Sequence, residues 1–210
     1  MLDGGIEQMD AETCLEKLKL IGVLDFATID ADGNPQIRNI SAIHYEKDTF
    51  TFFTARGKNF CQELLADGRV QVLGYTKYKE MIRVSGKAAP VATEKQKEAM
   101  DQIFLEQPYL SNVYPGKTRE IGIVFQMNIS KIEYFNLGVN PIFRQTYLFD
   151  SKEKEKGYQI TNACIGCGTC QKVCPQKAIQ EGKPFVIQQE HCLHCGNCFE
   201  HCPVQAIIRL

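Results

Sequence analysis

The sequence predicts two domains of different fold class: a mainly β domain built as a small antiparallel barrel, then a short cysteine-rich α+β domain. Segments rich in β-branched and aromatic residues recur at close spacing through residues 1–136, with few helices between them. Eight of the ten cysteines lie within residues 164–202. A charge-rich stretch separates the two parts. We therefore predict domains at 1–136 and 158–210, joined through 137–157.

Composition and charge exclude several classes of protein. The 210 residues contain 24 Lys+Arg and 25 Asp+Glu, a net charge of −1, which does not favour nucleic-acid binding. Hydrophobic residues make up 44% and charged residues 23%, as in ordinary globular proteins. No apolar run is long enough to span a bilayer, and the N-terminus lacks a basic region typical of a signal peptide. We expect a cytoplasmic protein without a membrane or nucleic-acid partner.

Helical apolar spacing occurs in three segments of the first domain. Asp10 is placed to cap the first helix, and Gly22 to end it. Thr93 and Gln96 have the spacing of a capping box at the start of the third helix. The predicted helices are 10–21, 59–66 and 93–105.

Strand-like segments alternate with polar turns in the same domain. Asp-Gly and Pro in the turn 31–35 predict a hairpin between the first two strands. No strand–helix–strand alternation is sustained, so an antiparallel barrel is favoured over a parallel sheet. The predicted strands are 23–30, 36–44, 49–54, 70–75, 81–89 and 122–134.

The segment 137–157 differs in composition from its surroundings. It contains Gly138, Pro141 and the charged run 151–157, which are features of a linker. It also contains several large apolar residues that could pack on either domain. The sequence leaves a linker and a packed excursion open.

The cysteines of the last domain form a duplicated motif. Each copy has the form Cys-x2-Cys-x2-Cys-x3-Cys-Pro, and the second begins at Cys192, 28 residues after Cys164. This spacing, without a signal sequence, indicates thiolate metal ligation and not disulfides. It resembles the bacterial two-cluster ferredoxins over 158–210. Cys14 and Cys61 lie apart in apolar helical patterns and are predicted to be core residues.

The ferredoxin resemblance implies two 4Fe-4S clusters with crossed ligation, in which the fourth cysteine of each copy binds the other cluster. One alternative is structural zinc, for which His191, His194 and His201 offer further ligands. A cluster pair with a purely structural role is a second alternative. The implied sets are Cys164, Cys167, Cys170 and Cys202 for one cluster, and Cys192, Cys195, Cys198 and Cys174 for the other.

Several pieces of the first domain occur together in one known family. The hairpin 27–35 is followed by Arg38-Asn39-Ile40, Phe52-Phe53-Thr54, Lys58 before the helical run 59–64, and a strand at 83–88. Their order and spacing over 20–92, continuing to Phe135, resemble the pyridoxamine phosphate oxidase-like, FMN-binding split β-barrel family. The resemblance implies a homodimer. At the C-terminal end the oxidase carries an Arg-x-His arrangement for its vitamin substrate, but here the cysteine-rich domain follows.

The resemblance places FMN against specific residues of the barrel. The doubly anionic phosphate of FMN is best held by cations, hydroxyls and a helix N-terminus, which Thr54, Arg56 and Lys58 provide at a strand-to-helix junction. The family pattern assigns Arg38, Thr54 and Lys58 to FMN, with Asn39 and Asn59 as further candidates. Taken singly, Arg38 could be a solvated strand residue and Lys58 a surface charge.

Together these modules predict an FMN- and 4Fe-4S-dependent oxidoreductase, because FMN exchanges one or two electrons and iron–sulfur clusters exchange one. A redox partner protein or a small-molecule substrate would complete the electron path. The alternative is a non-enzymatic electron carrier or redox sensor. No catalytic residue is assigned, since His44 is the only histidine of the barrel and a lone strand histidine is commonly structural.

Overall fold

The computed structural model describes residues 9–150, 152 and 156–210. Part of the charged run predicted at 151–157, namely 151 and 153–155, lies outside the described residues. Among the described helices, none is long and apolar enough to cross a membrane.

The chain divides into two compact units. The first contains the described residues up to Thr76, with Met81–Ile132 and Tyr147–Asp150. The second contains Lys77–Glu80, Glu133–Thr146 and the described residues after Asp150.

An eight-stranded antiparallel sheet with helices dominates the first part of the chain. Its strands are β1 (Leu24–Ile29), β2 (Pro35–Ile40), β3 (Ile43–Tyr45), β4 (Phe50–Ala55), β5 (Arg69–Tyr75), β6 (Glu80–Pro90), β7 (Gly122–Asn136) and β8 (Phe143–Leu148). Its helices are α1 (Ala11–Ile21), α2 (Asn59–Ala66), α3 (Gln96–Glu106) and α4 (Leu110–Val113), with 3-10 turns at Thr93–Lys95 and Gly116–Ile121.

The order of the strands makes the sheet curl into a half-barrel. The order is β2-β1-β5-β6-β7-β4-β3, with β8 paired to β7, so β2 and β3 stand at opposite ends of the path. Only Ser41 and Ala42 connect these two strands. Since the three Cα–Cα steps from Ile40 to Ile43 span at most about 11 Å, the two ends of the sheet must lie close together. The predicted antiparallel barrel is confirmed.

The prediction of a single strand at 36–44 is wrong, because the structure divides that range between two strands, β2 and β3. Strand β2 pairs with β1, whereas β3 pairs with β4. The change of pairing partner at Ser41 and Ala42 cannot be predicted from the sequence pattern, because the residues on both sides of it have strand-like composition.

The first helix ends as the sequence predicts. The Asp10 carboxylate accepts a hydrogen bond from the Thr13 amide at 2.7 Å, and Gly22 takes a positive φ of 78° while its amide bonds back to Leu18. The capping box predicted at Thr93 is wrong. The Gln96 side chain instead donates to the carbonyls of Val91 and Val124, so it ties α3 to the sheet.

Aromatic side chains fill the interior of the half-barrel. Phe26 lies in edge-to-face contact with neighbouring rings, and the ring centroids of Phe52 and Phe125 are 5.8 Å apart in a stacked arrangement. Each such pair adds about 0.5–1.5 kcal/mol beyond the burial of its area. Cys14 and Cys61 are fully buried, which confirms that both belong to the core.

The segment 137–157 contains secondary structure. Strand β8 lies within it, and Ile142 is buried. Ile142 therefore takes part in packing, whereas Leu137, Val139, Leu148 and Phe149 are exposed.

The last 53 or so residues form two short helices between paired strands, from Tyr158 onward. A buried cluster of isoleucines, Phe185, Cys170 and Cys198 forms the core. The elements are β9 (Tyr158–Ile160) paired with β12 (Ile207–Arg209), β10 (Ile179–Gln180) paired with β11 (Val186–Ile187), α5 (Thr169–Val173) and α6 (Asn197–Glu200).

Candidate functional site

The two cysteine loops have the same local geometry. Gly168 and Gly196 precede α5 and α6 with left-handed φ values of 72° and 82°, which L-residues with a Cβ rarely adopt. Backbone amides point at sulfur in matching positions. The bonds run from Gly166 to Cys164 (3.4 Å), His194 to Cys192 (3.4 Å), Ala178 to Cys174 (3.3 Å) and Ala206 to Cys202 (3.2 Å). Amide donors of this kind stabilise negative charge on the sulfur atoms.

Four cysteines line each of two mainly apolar cavities. One cavity is lined by Cys164, Cys167, Cys170 and Cys202. The other is lined by Cys174, Cys192, Cys195 and Cys198. In each cavity three cysteines come from one copy of the motif and the fourth from the other copy. The donor set and the amides aimed at sulfur fit 4Fe-4S clusters.

The pKa values of these cysteine thiols depend on how deeply each thiol is buried. Burial raises the pKa of Cys198 to about 11 and also raises that of Cys170. At the exposed end, a hydrogen bond with the Thr169 hydroxyl lowers the pKa of Cys167. Metal ligation requires thiolates, so iron binding at the buried positions must release protons.

The histidines of this domain have different surroundings. His191 Nδ1 lies 2.9 Å from the Ile142 carbonyl oxygen, and His201 Nδ1 lies 2.9 Å from the Asn197 carbonyl oxygen. Burial lowers the pKa of His194 to about 4. Within the described ranges, no three His, Cys, Asp or Glu side chains are grouped to bind a single metal ion. The thiolates around a cubane each bind a different iron, unlike the four ligands around one zinc.

The residues predicted to hold the FMN phosphate lie at the junction of β4 and α2. Thr54 is buried in β4, and Arg56 donates from Nη1 to the Gly122 carbonyl at 2.8 Å. Lys58 is exposed at the N-cap of α2, followed by Asn59. The first turn of α2 contains no acidic side chain. A cationic loop at a helix N-terminus fits an anionic phosphate group.

The structure places Arg38 and Asn39 on opposite faces of β2. The Arg38 guanidinium donates to Glu63 Oε2 at 2.7 Å and to the Thr28 hydroxyl, and it lies 4.6 Å from the ring centroid of Phe60. Arg38 therefore contacts the inner side of α2. Asn39 donates to Asp25 on the other face, away from Arg38.

An open pocket beside Arg56 is lined by cations that the sequence did not single out. Arg119 and Lys97 line it together with Arg56, and Arg119 forms a 2.7 Å ion pair with Asp101. These residues lie at least 40 positions after Arg56 and belong to no motif. Glu63 was missed because its partner, Arg38, lies 25 residues earlier in the chain.

Family comparisons match both parts of the chain. Residues 11–132 match the pyridoxamine 5'-phosphate oxidase family, and residues 156–203 match the 4Fe-4S dicluster domain. A ferredoxin of Butyribacterium methylotrophicum is 47% identical over 32 residues, which are 15% of this chain and 58% of that protein. The chain thus covers little more than half of that relative.

Solved structures share the fold of the first part at low sequence identity. A NimC/NimA family protein of Clostridium acetobutylicum matches with TM-score 0.52 and 20% identity, covering 65% of this chain and 90% of that one. PhzG of Burkholderia lata, solved with tetrahydrophenazine-1-carboxylic acid, matches with TM-score 0.52 and 19% identity, covering 73% and 94%. A pyridoxamine 5'-phosphate oxidase-related, FMN-binding protein of Nostoc punctiforme matches with TM-score 0.50 and 12% identity, covering 69% and 90%. The split-barrel fold of these structures, the family match over 11–132 and the dicluster match together show that the chain belongs to the pyridoxamine 5'-phosphate oxidase family and carries a 4Fe-4S dicluster domain.

Proposed function

We propose that this protein is an FMN- and 4Fe-4S-dependent oxidoreductase that passes electrons between iron–sulfur clusters and a flavin. The observation that carries the proposal is the pair of four-cysteine cavities in a chain whose other part belongs to a flavin-oxidase family. When bound, clusters transfer single electrons and FMN exchanges one or two, so their combination can split or combine electron pairs. The chain itself must bind both groups and keep solvent from them.

The proposed cluster ligands are the two crossed sets. Each set lines one cavity, and backbone amides donate to the sulfur atoms in both. Crossed ligation joins the two copies of the motif, so each cluster would also stabilise the small domain. The first set is Cys164, Cys167, Cys170 and Cys202, and the second is Cys174, Cys192, Cys195 and Cys198.

The proposed FMN site is the junction of β4 and α2. Lys58 and Arg56 supply positive charge, Thr54 a hydroxyl, and the start of α2 the positive end of a helix dipole. Arg38 has further N–H donors besides those that bind Glu63 and Thr28, so it remains a candidate. Asn59 stays a candidate by position, while Asn39 faces away from Arg38.

The rest of the proposal concerns partners and location. We infer a homodimer from the family resemblance, and a cytoplasmic protein from the reduced thiols that cluster ligation needs. The external partner is a redox protein or a small-molecule substrate. Nucleic acid is not expected as a partner because the chain carries no excess of basic residues.

The test is anaerobic purification followed by rapid kinetics. Iron, sulfide and flavin analysis is expected to give about eight iron atoms per chain for two cubanes, together with FMN. The protein is then mixed with reduced methyl viologen while flavin absorbance is recorded. The control is a Cys164→Ala/Cys174→Ala variant that lacks a ligand from each set but keeps the barrel. We expect the flavin of the wild type to be reduced faster than that of the control.

Three results would change the interpretation. Zinc in place of iron would remove the redox proposal for the cysteine domain. Equal flavin reduction rates in the wild type and the control would show that the clusters do not pass electrons to the flavin. Flavin that stays oxidised while the clusters are reduced would leave the electron carrier or redox sensor as the function.

A further inference from the structure

The two four-cysteine cavities are alike in their loops but not in their charged surroundings. Equivalent positions of the two copies lie 28 residues apart. The short helix of the first copy carries Lys172, whereas the second carries Glu200 at the same position. Gly166 in the first copy corresponds to His194 in the second. The two copies therefore differ in the charges that their own helices carry.

A residue from outside both copies supplies a positive charge at the second site. Arg144, in β8, donates from Nη1 to the carbonyl oxygen of Cys192 at 3.1 Å. Its guanidinium also lies 5.2 Å from the ring centroid of Phe135, a distance typical of a cation–π contact. Two contacts therefore hold the charge beside a cysteine of the second set.

The backbone next to Arg144 is attached to the same site. The Ile142 amide donates to Gln176 Oε1 at 3.2 Å, and the Ile142 carbonyl oxygen lies 2.9 Å from His191 Nδ1. Gln176 follows Cys174 by two residues, and His191 directly precedes Cys192. The segment 142–144 is thus bound to both ligand-bearing loops of the second set.

The position of Arg144 puts a permanent positive charge next to the second set. Its guanidinium contacts the backbone of Cys192, and Cys192 lines the second four-cysteine cavity.

Such charges matter because reduction adds one electron to a cluster without making or breaking a bond. A neighbouring cation stabilises the more negative, reduced state and raises the reduction potential, and an anion lowers it. Arginine stays charged at every working pH, so its effect does not depend on protonation.

We propose that Arg144 raises the reduction potential of the cluster held by Cys174, Cys192, Cys195 and Cys198. A charge from β8, which lies outside both copies of the motif, thereby sets the potential of that cluster. This inference rests on the proposed function for the presence of the clusters.

The experiment is an anaerobic redox titration of the full chain, followed by electron paramagnetic resonance. We expect two one-electron waves in the wild type. Arg144→Gln is expected to shift one wave to lower potential and to leave the other in place. Arg144→Lys is the matched control, because it keeps the charge and is expected to keep both waves near their wild-type positions.

Iron and sulfide analysis of every variant separates the possible failures. With both clusters present, an unmoved wave in Arg144→Gln, an equal shift of both waves, or Arg144→Lys behaving like Arg144→Gln would overturn the role of the charge. If Arg144→Gln loses a cluster, Arg144→Met decides, and an unmoved wave or loss of the same cluster in that variant overturns the inference. A wild-type protein without iron and sulfide would instead overturn the proposed function.

Discussion

Removal of Arg38 is expected to destabilise the half-barrel even in the absence of FMN. The Arg38 guanidinium binds Glu63 at 2.7 Å and the Thr28 hydroxyl, and its side chain is 21% exposed against 7% for Glu63. Arg38→Ala would leave the Glu63 carboxylate buried without its cation. Loss of one partner of a buried ion pair costs about 3–5 kcal/mol, and the partial exposure of Arg38 places our expectation near the lower limit.

The free energy of unfolding is measured by urea denaturation of FMN-free protein, followed by far-ultraviolet circular dichroism. The matched variant is Arg38→Met/Glu63→Met, which removes both charges and fills similar volume. We expect this double variant to be closer to the wild type than Arg38→Ala is, because neither charge is left unpaired.

Two results would refute this reasoning. Arg38→Ala with a stability within about 1 kcal/mol of the wild type would show that the ion pair contributes little. A double variant as unstable as Arg38→Ala would show that the loss comes from packing of the guanidinium on Phe60 and not from the unpaired carboxylate.

Three further predictions follow from the sites and the sheet. Cys174→Ala is expected to lose the cluster of the second motif copy and to keep about four iron atoms per chain, whereas loss of the first copy's cluster would contradict crossed ligation. Lys58→Ala is expected to weaken FMN binding roughly tenfold or more, from a charge-assisted contact of about 1.5–3 kcal/mol, but to leave riboflavin binding nearly unchanged; equal FMN affinities in titrations would exclude the phosphate contact. Gly122→Ala is expected to lower stability by about 1–3 kcal/mol in thermal denaturation, because its Cβ would lie 1.9 Å from Phe53 Cε2. Gly57→Ala is its control, since no atom lies within 4 Å of the added Cβ, and equal losses in both variants would contradict the steric explanation.

Local features of the chain could be predicted from the sequence because they depend on neighbouring residues. The α2 bounds of 59–66 agree with the prediction, as do the Asp10 cap and the Gly22 stop of α1. Both modules were predicted from residue spacing, and the family comparisons match them. The spacing of cluster ligands can be recognised in a sequence because one short loop must bring several cysteines to the same cluster.

Other features depend on which distant segments meet, and no local pattern records that. The division of 36–44 into β2 and β3 follows from the strand order, which brings β3 beside β4 and β2 beside β1. The Arg38–Glu63 ion pair joins residues 25 positions apart, and the Arg144–Cys192 contact joins residues 48 positions apart.

The sequence by itself thus determined the two modules, the duplicated cysteine motif and the phosphate-binding candidates at the β4–α2 junction. Only the tertiary structure decided that Arg38 is bound to Glu63, that Arg144 lies beside Cys192, and that each cavity collects cysteines from both motif copies. The physical reason is that periodicity and turn chemistry act over a few residues, whereas a charge or a ligand acts on whatever folding brings within a few ångströms of it.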